Sequence, residues 1–240
     1  MTVKMFFIPV LLSMVLSMRA QQGNAFEIIQ ACIHHHDPNR RWQNLRGKFD
    51  YKIIRNGAKD RTFEIFFDNK KNTFKYQITS DSLRFSQSFE NEKYYSAMNE
   101  NVSLSDLDKI KFNLTDERTL YLKEVYTYLM GLPMLLADDF RFMKGDVEEA
   151  VFNGSQCYKI SFEYLPINEN ETWCFYINKF TFILEGYRFF KEDASLDGEF
   201  IFLEDYQKMD GILIPAVKKW YWNKDGSFFR TDTTLKFSKR

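Results

Sequence analysis

The sequence predicts an α+β fold: one large, curved antiparallel sheet of about eleven strands, an open or incomplete β-barrel, with helices covering one face. Three observations predict it. Apolar and polar residues alternate with period two in most segments after Gly47, as in Phe49, Tyr51 and Ile53 against Lys48, Asp50 and Lys52. Asn-Gly or Asp-Gly pairs at Asn56, Asn153, Asp197, Asp210 and Asp225 punctuate those segments, and a tight hairpin turn needs the positive φ that such pairs tolerate. Helical spacing is confined to a segment near the N-terminus and an interlude in mid-chain.

The first element is not part of the fold. Lys4 precedes an apolar run from Met5 to Met18, followed by Arg19-Ala20-Gln21-Gln22, the three regions of a secretory signal peptide. The run is shorter than the roughly 20 residues a membrane span needs, and no second such stretch follows. Cleavage is expected after Ala20, with Gly23-Asn24-Ala25 as a small-x-small alternative. Cys32 lies too far past the run to carry a lipid anchor. The expected organisation is a signal peptide over residues 1–20 and a single β-rich domain over 21–240, exported to the periplasm or beyond.

Ala25–His36 places Phe26, Ile28, Ile29, Cys32 and Ile33 at near-helical spacing, and Pro38 stops the helix because the residue before a proline is driven out of the helical region. Strands are expected at Gly47–Arg55, Arg61–Asp68, Thr73–Thr79 and Ser82–Phe89. Then Ser103-Leu104-Ser105-Asp106 opens a short helix and Thr115 caps a longer one through Leu129, with Gly131 as a left-handed cap before Pro133. Seven more strands follow, at Val147–Phe152, Gln156–Tyr164, Thr172–Ile177, Phe180–Phe190, Glu199–Gln207, Ile212–Trp222 and Phe228–Phe237. Pro215 inside its strand argues for an edge or a bulge.

Charge and cysteines narrow the function classes. Removing residues 1–20 takes away Lys4 and Arg19 and no acid, leaving 31 basic and 33 acidic side chains. Interleaved charges without a basic face exclude a nucleic-acid partner. Export makes Cys157 and Cys174 a pair to test. If their strands pair about a Pro166–Glu171 loop, Tyr164 faces Thr172 and Cys157 faces Lys179. The thiols then stand five residues apart along the ladder, roughly 17 Å and beyond disulfide reach. They read as small buried hydrophobes.

His34-His35-His36-Asp37-Pro38 contains every histidine of the chain. Consecutive helical positions point about 100° apart and cannot converge on one ion, so no metal is expected. His36 and Asp37 instead suit hydrogen bonds around the helix end, where a cationic imidazole complements the dipole. They are also the only residues that a hydrolase reading can name. No G-x-S-x-G elbow, cysteine nucleophile or carboxylate pair of defined spacing stands out, so no catalytic residue and no cofactor is assigned. Sequons at Asn101, Asn113, Asn153 and Asn170 do not decide the organism.

Aromatic residues, 25 Phe, 13 Tyr and 4 Trp, form the strongest compositional signal. Most belong to a packed core, but rings fall on both strand parities, as in Trp220 and Trp222 against Tyr221. Both sheet faces then carry apolar surface, one under helices and one lining a groove. Trp42, Tyr128, Trp173, Trp220 and Trp222 are the expected ligand-binding residues.

The order and spacing of several short segments add a resemblance. They are His36-Asp37-Pro38 with Trp42 and Gly47, Tyr126–Met134, Thr172-Trp173 with Tyr176, Asp197-Gly198-Glu199-Phe200, and Asp210-Gly211 leading into Ile214-Pro215. Over nearly all of the mature chain they resemble an uncharacterised family of exported proteins of Bacteroidetes-type bacteria. That family is similar in architecture to half-barrel periplasmic carriers of lipoproteins or lipids. His34 and His35, and Asn178-Lys179-Phe180-Thr181 in place of a proline-containing turn, depart from its pattern. The resemblance implies export and one domain but no activity.

The expected function is therefore a monomeric, non-enzymatic, exported protein that holds a lipid, acyl chain or lipoprotein anchor against an aromatic-lined sheet. A secreted hydrolase and a structural interaction module are the alternatives.

Overall fold

Among the described residues twelve strands form a single antiparallel sheet, and their order dictates where the helices go. The computed structural model describes residues 24–165, 168–191 and 197–240; the expected signal peptide lies outside them. Helix α1 covers residues 24–36. Five strands follow: β1 (Arg46–Arg55), β2 (Arg61–Asp68), β3 (Thr73–Ser80), β4 (Leu83–Glu90) and β5 (Lys93–Met98). Helices α2 (Asp106–Lys111) and α3 (Asp116–Gly131) come next, and then β6 (Met143–Phe152), β7 (Ser155–Leu165), β8 (Asn168–Asn178), β9 (Leu184–Lys191), β10 (Gly198–Met209), β11 (Ile212–Trp222) and β12 (Phe228–Lys239).

The sheet runs β5-β4-β3-β2-β1-β12-β11-β10-β9-β8-β7-β6. Because the last strand pairs with the first, the two free edges are β5 and β6, and the helical interlude joins them. The chain must cross the sheet between those edges. It does so over the face that α1 also covers, so one helix and one crossing connection roof the same inner face.

Alternation decides which side chains meet that roof. Phe49, Tyr51 and Ile53 of β1 and Phe63, Ile65 and Phe67 of β2 point inward, where they pack with Leu122 and Met130 of α3 and with Trp42. On the other side, Ile160, Phe162, Trp173, Phe175 and Tyr187 point inward against Ile28, Ile29 and Cys32 of α1 and Tyr128 of α3. Burying one fully enclosed side chain of this kind contributes about 1.5–3 kcal/mol.

Several expectations are corrected. The strand count is twelve, because β5 had no clear alternation: as an edge strand it is half exposed along its length. It follows a hairpin turn at Asn91-Glu92, both at positive φ, and Asp81-Ser82 makes the same turn between β3 and β4. Neither turn contains glycine. The strand expected from Phe180 begins only at Leu184, since Asn178 accepts backbone hydrogen bonds from Phe180 and Thr181 and closes a turn there. Pro215 lies in a central strand, not at an edge. The irregularity sits in its neighbour, where Asp205 of β10 adopts positive φ while the register is kept from Glu204↔Val217 to Tyr206↔Pro215.

Gly131 is the last residue of α3 and does not adopt positive φ; extended Leu132 ends the helix. Glycine is needed for space, because a Cβ there would lie 2.7 Å from Trp42 and 2.6 Å from Leu135. Ser105 and Thr115 do cap α2 and α3, accepting from the backbone N–H groups of Asp108 and Arg118.

The β7–β8 register is shifted by one from the expected pairing: Glu163 faces Thr172, and Cys157 faces Asn178. Cys174 faces Ser161, four positions from Cys157, and all three cysteines are free and buried.

Candidate ligand site

Aromatic rings occupy both faces of the sheet, but the two sets do different things. The outer set packs on itself. Phe152 stacks on Tyr176 at 3.9 Å between ring centroids, and Phe200 stacks on Tyr221 at 5.0 Å. Phe202 stands edge-on to Phe152. These rings close over each other rather than line the groove expected on the second face.

The sequence-predicted site residues are distributed through the core. Trp42 is buried beneath the end of α3, tilted against Phe67. Tyr128 meets Trp173 edge-on at 6.0 Å, and Trp173 stacks on Tyr187 and Phe189. Trp220 is buried with the Arg230 guanidinium 3.9 Å from its ring centre. Trp222 stacks on Phe229 on the same hairpin. Only Tyr128, Trp173 and Trp220 converge, around Tyr187.

His36 and Asp37 are held by backbone partners. The Leu184 N–H donates to His36 Nε2 at 3.1 Å, which makes Nε2 the acceptor and leaves Nδ1–H to donate to the Leu213 carbonyl at 2.8 Å. The imidazole thus ties the end of α1 to β9 and β11. Burial drives its pKa from 6.5 to about 4, partly opposed by the bond to Leu213, so the ring is neutral and not the cation that the helix dipole suggested. Asp37 accepts from the backbone N–H of Arg41 on one oxygen and of Trp42 on the other, each at 2.8 Å. It shapes the turn that delivers Trp42 to the core. Among the described residues no cluster of His, Cys, Asp and Glu suits a metal ion.

Two cavities open at the margins of the helical cover. One, of about 360 Å³, lies between α1 and the segment after α3, lined by Phe26, Ile33, Trp42, Met134 and Leu135 among others. The other, of about 290 Å³, lies between α3 and the ends of β1, β2, β3 and β12. Its apolar wall comprises Ile53, Phe63, Tyr76, Leu122, Val125, Tyr126 and Leu129. Its rim is charged, with Arg55, Arg61, Arg118, Arg230 and Asp232.

Sequence reading missed this constellation because its members come from four separate elements. β1, β2 and β12 each put one inward arginine at the rim, and α3 adds another from above. Strand parity alone could have shown that Arg55, Arg61 and Arg230 share the inward phase of Ile53, Phe63 and Asp232.

Beneath the rim, Arg230 donates to Asp232 at 2.6 Å. Lys218, paired with Asp232 across β11 and β12, is almost wholly buried, with its Nζ 3.7 Å from Met130 Sδ. Burial lowers the Lys218 pKa to about 8, although Asp232 pulls the other way. Burial likewise raises that of Asp232, against the pull of Arg230.

An open antiparallel half-barrel roofed on its inner face by helices defines the structural class, and solved structures share it. A LolA superfamily protein from Nitrosomonas europaea superimposes with a TM-score of 0.52 at 9% identity, covering 88% of this chain and 93% of that one. A domain provisionally assigned to outer-membrane lipoprotein sorting, from Vibrio parahaemolyticus, gives 0.52 at 11% identity over 90% and 92%. At such identities the likeness is one of fold. No curated protein matches the sequence. The chain belongs to the family of unknown function DUF6503, which it matches over residues 4–236. No helix among the described residues is long and apolar enough to cross a membrane.

Proposed function

We propose that the protein is an exported, non-enzymatic binding protein that takes up an apolar chain, from a lipid or a lipoprotein anchor, between α3 and the inner face of its sheet. The observation that carries this reading is the nature of the cover. α3 rests on the sheet mainly through apolar side chains, with two buried side-chain hydrogen bonds among the described residues, Thr119 to Gln87 at its start and Lys218 to the Met130 sulfur near its end. An alkyl chain can replace such contacts at little cost, since both are non-directional and scale with buried area. The cavity beside Leu122, Val125, Tyr126 and Leu129 is at the small end of ligand clefts, roughly 300–1,000 Å³, so a long chain requires α3 to lift.

The half-barrel fold shared with a lipoprotein-sorting domain supports the reading, as does the signal-like segment from Lys4 to Ala20. The backbone partners of His36 and Asp37 favour the carrier reading over a hydrolase that would use those two residues. The test is native mass spectrometry of gently purified mature protein, followed by delipidation and titration with acyl probes. Co-purifying lipid and a raised melting temperature are expected. A ligand-free protein that no acyl probe stabilises would overturn the reading.

A further inference from the structure

We propose that the arginines around the α3 cavity are the receptor for an oxyanion headgroup, carboxylate or phosphate, of an amphiphile whose alkyl chain lies under α3. This rests on the carrier reading above and names the ligand class for that site.

The ladder makes the case. Arg55 and Arg230 are directly opposite each other in the β1–β12 pairing, and Arg61 faces Ile53 on β2, two positions along from Arg55. Like charges directly opposite on one sheet face repel, an arrangement that a strand would ordinarily avoid. Arg118 adds a fourth guanidinium from the first turn of α3.

Neutralisation within the chain is incomplete. Among the described residues, Arg230 alone of the four has a carboxylate within ion-pair distance, that of Asp232. The first-turn acids Asp116 and Glu117 lie outside the cavity lining. The cavity therefore presents four guanidinium groups against one carboxylate. Guanidinium is the side-chain group best matched to planar or tetrahedral oxyanions, because its N–H donors bind two oxygens at once.

Immediately inward the wall turns apolar, with Phe63, Tyr76 and Leu122, so charge recognition and chain burial are adjacent. A volume of about 290 Å³ accommodates a headgroup and the start of its chain. A bound oxyanion could be shared between Arg55 and Arg230, which the pairing of β1 and β12 sets opposite each other.

The test uses delipidated mature protein and isothermal titration with four probes: dodecyl phosphate, laurate, dodecanol and inorganic phosphate. The anionic amphiphiles should bind on the order of tenfold or more tightly than dodecanol, as expected for charge-assisted bonds, and the margin should shrink at high salt. In the double variant Arg61→Gln, Arg118→Gln the margin should vanish, so that dodecyl phosphate and laurate bind no more tightly than dodecanol. If that variant melts early, Arg61→Lys with Arg118→Lys retains charge without the bidentate fork and should lose most of the margin. Equal binding of anionic and neutral chains, unaffected by the variants, would overturn the headgroup site and leave the carrier reading standing. Inorganic phosphate binding as tightly as dodecyl phosphate, in an arginine-dependent way, would keep the anion site and overturn the carrier reading. No binding of any probe would overturn both.

Discussion

The neutral His36 makes the fold sensitive to mild acid, by an amount that can be worked out. Its pKa is about 4 in the folded protein against 6.5 in an unfolded chain. Between those values the unfolded state binds a proton and the folded state does not. The stabilising contribution is therefore complete above pH 6.5 and is lost as pH falls toward 4. At 1.36 kcal/mol per pH unit the full loss is about 3 kcal/mol, of which about 2 kcal/mol has gone by pH 5. For a domain of this size that lowers the melting temperature by roughly 4–8 °C.

The assay is urea unfolding at pH 7.5 and pH 5 of the wild type and of His36→Phe. The variant keeps a ring in the site but strands the Leu184 N–H and the Leu213 carbonyl, each at a cost of about 1–3 kcal/mol. It should be less stable than wild type at pH 7.5, and the gap should close by about 2 kcal/mol at pH 5. Parallel pH dependences, or an NMR titration of His36 with a midpoint near 6.5, would refute the reasoning.

Other outcomes follow from the same geometry. Asp37→Ala removes the acceptors for two backbone N–H groups and should cost about 2–4 kcal/mol in denaturant unfolding, with Asp37→Asn, which keeps one oxygen, in between. Lys218 has its pKa lowered from 10.5 to about 8, so its buried charge costs stability below pH 8 and is relieved as pH rises. Wild type should gain about 1 kcal/mol between pH 7 and pH 9 relative to Lys218→Met, and an equal pH response of the two would count against the buried ammonium. Gly186→Ala should destabilise by about 3 kcal/mol or more by thermal melting, because its Cβ would meet the Ile201 carbonyl oxygen at 2.1 Å and the Phe152 ring at 2.6 Å. The three buried thiols, raised by desolvation, Cys157 to about 11, should resist alkylation in the native protein and react fully in urea.

The sequence by itself determined the elements and their faces. Period-two alternation placed β1, β2 and β11 within a residue of their ends, because a strand with one buried face must put Phe49, Tyr51 and Ile53 on one side. Ser105 and Thr115 announced α2 and α3 because caps act within one turn of chain. What remained hidden was everything that depends on which strands become neighbours. The pairing of β1 with β12 joins residues about 180 positions apart, and only that pairing sets Arg55 against Arg230 and makes β5 and β6 the free edges. His36 looked like a residue that hydrogen-bonds around its own helix end because its partners, Leu184 and Leu213, are remote in sequence. Turns without glycine hid β5, and the outer rings looked like a groove until Phe152 was seen stacked on Tyr176. Local propensity and alternation are properties of a few consecutive residues and are written in the chain. Strand order, the helical cover and the arginine-rimmed cavity depend on long-range packing, which the tertiary structure alone decides.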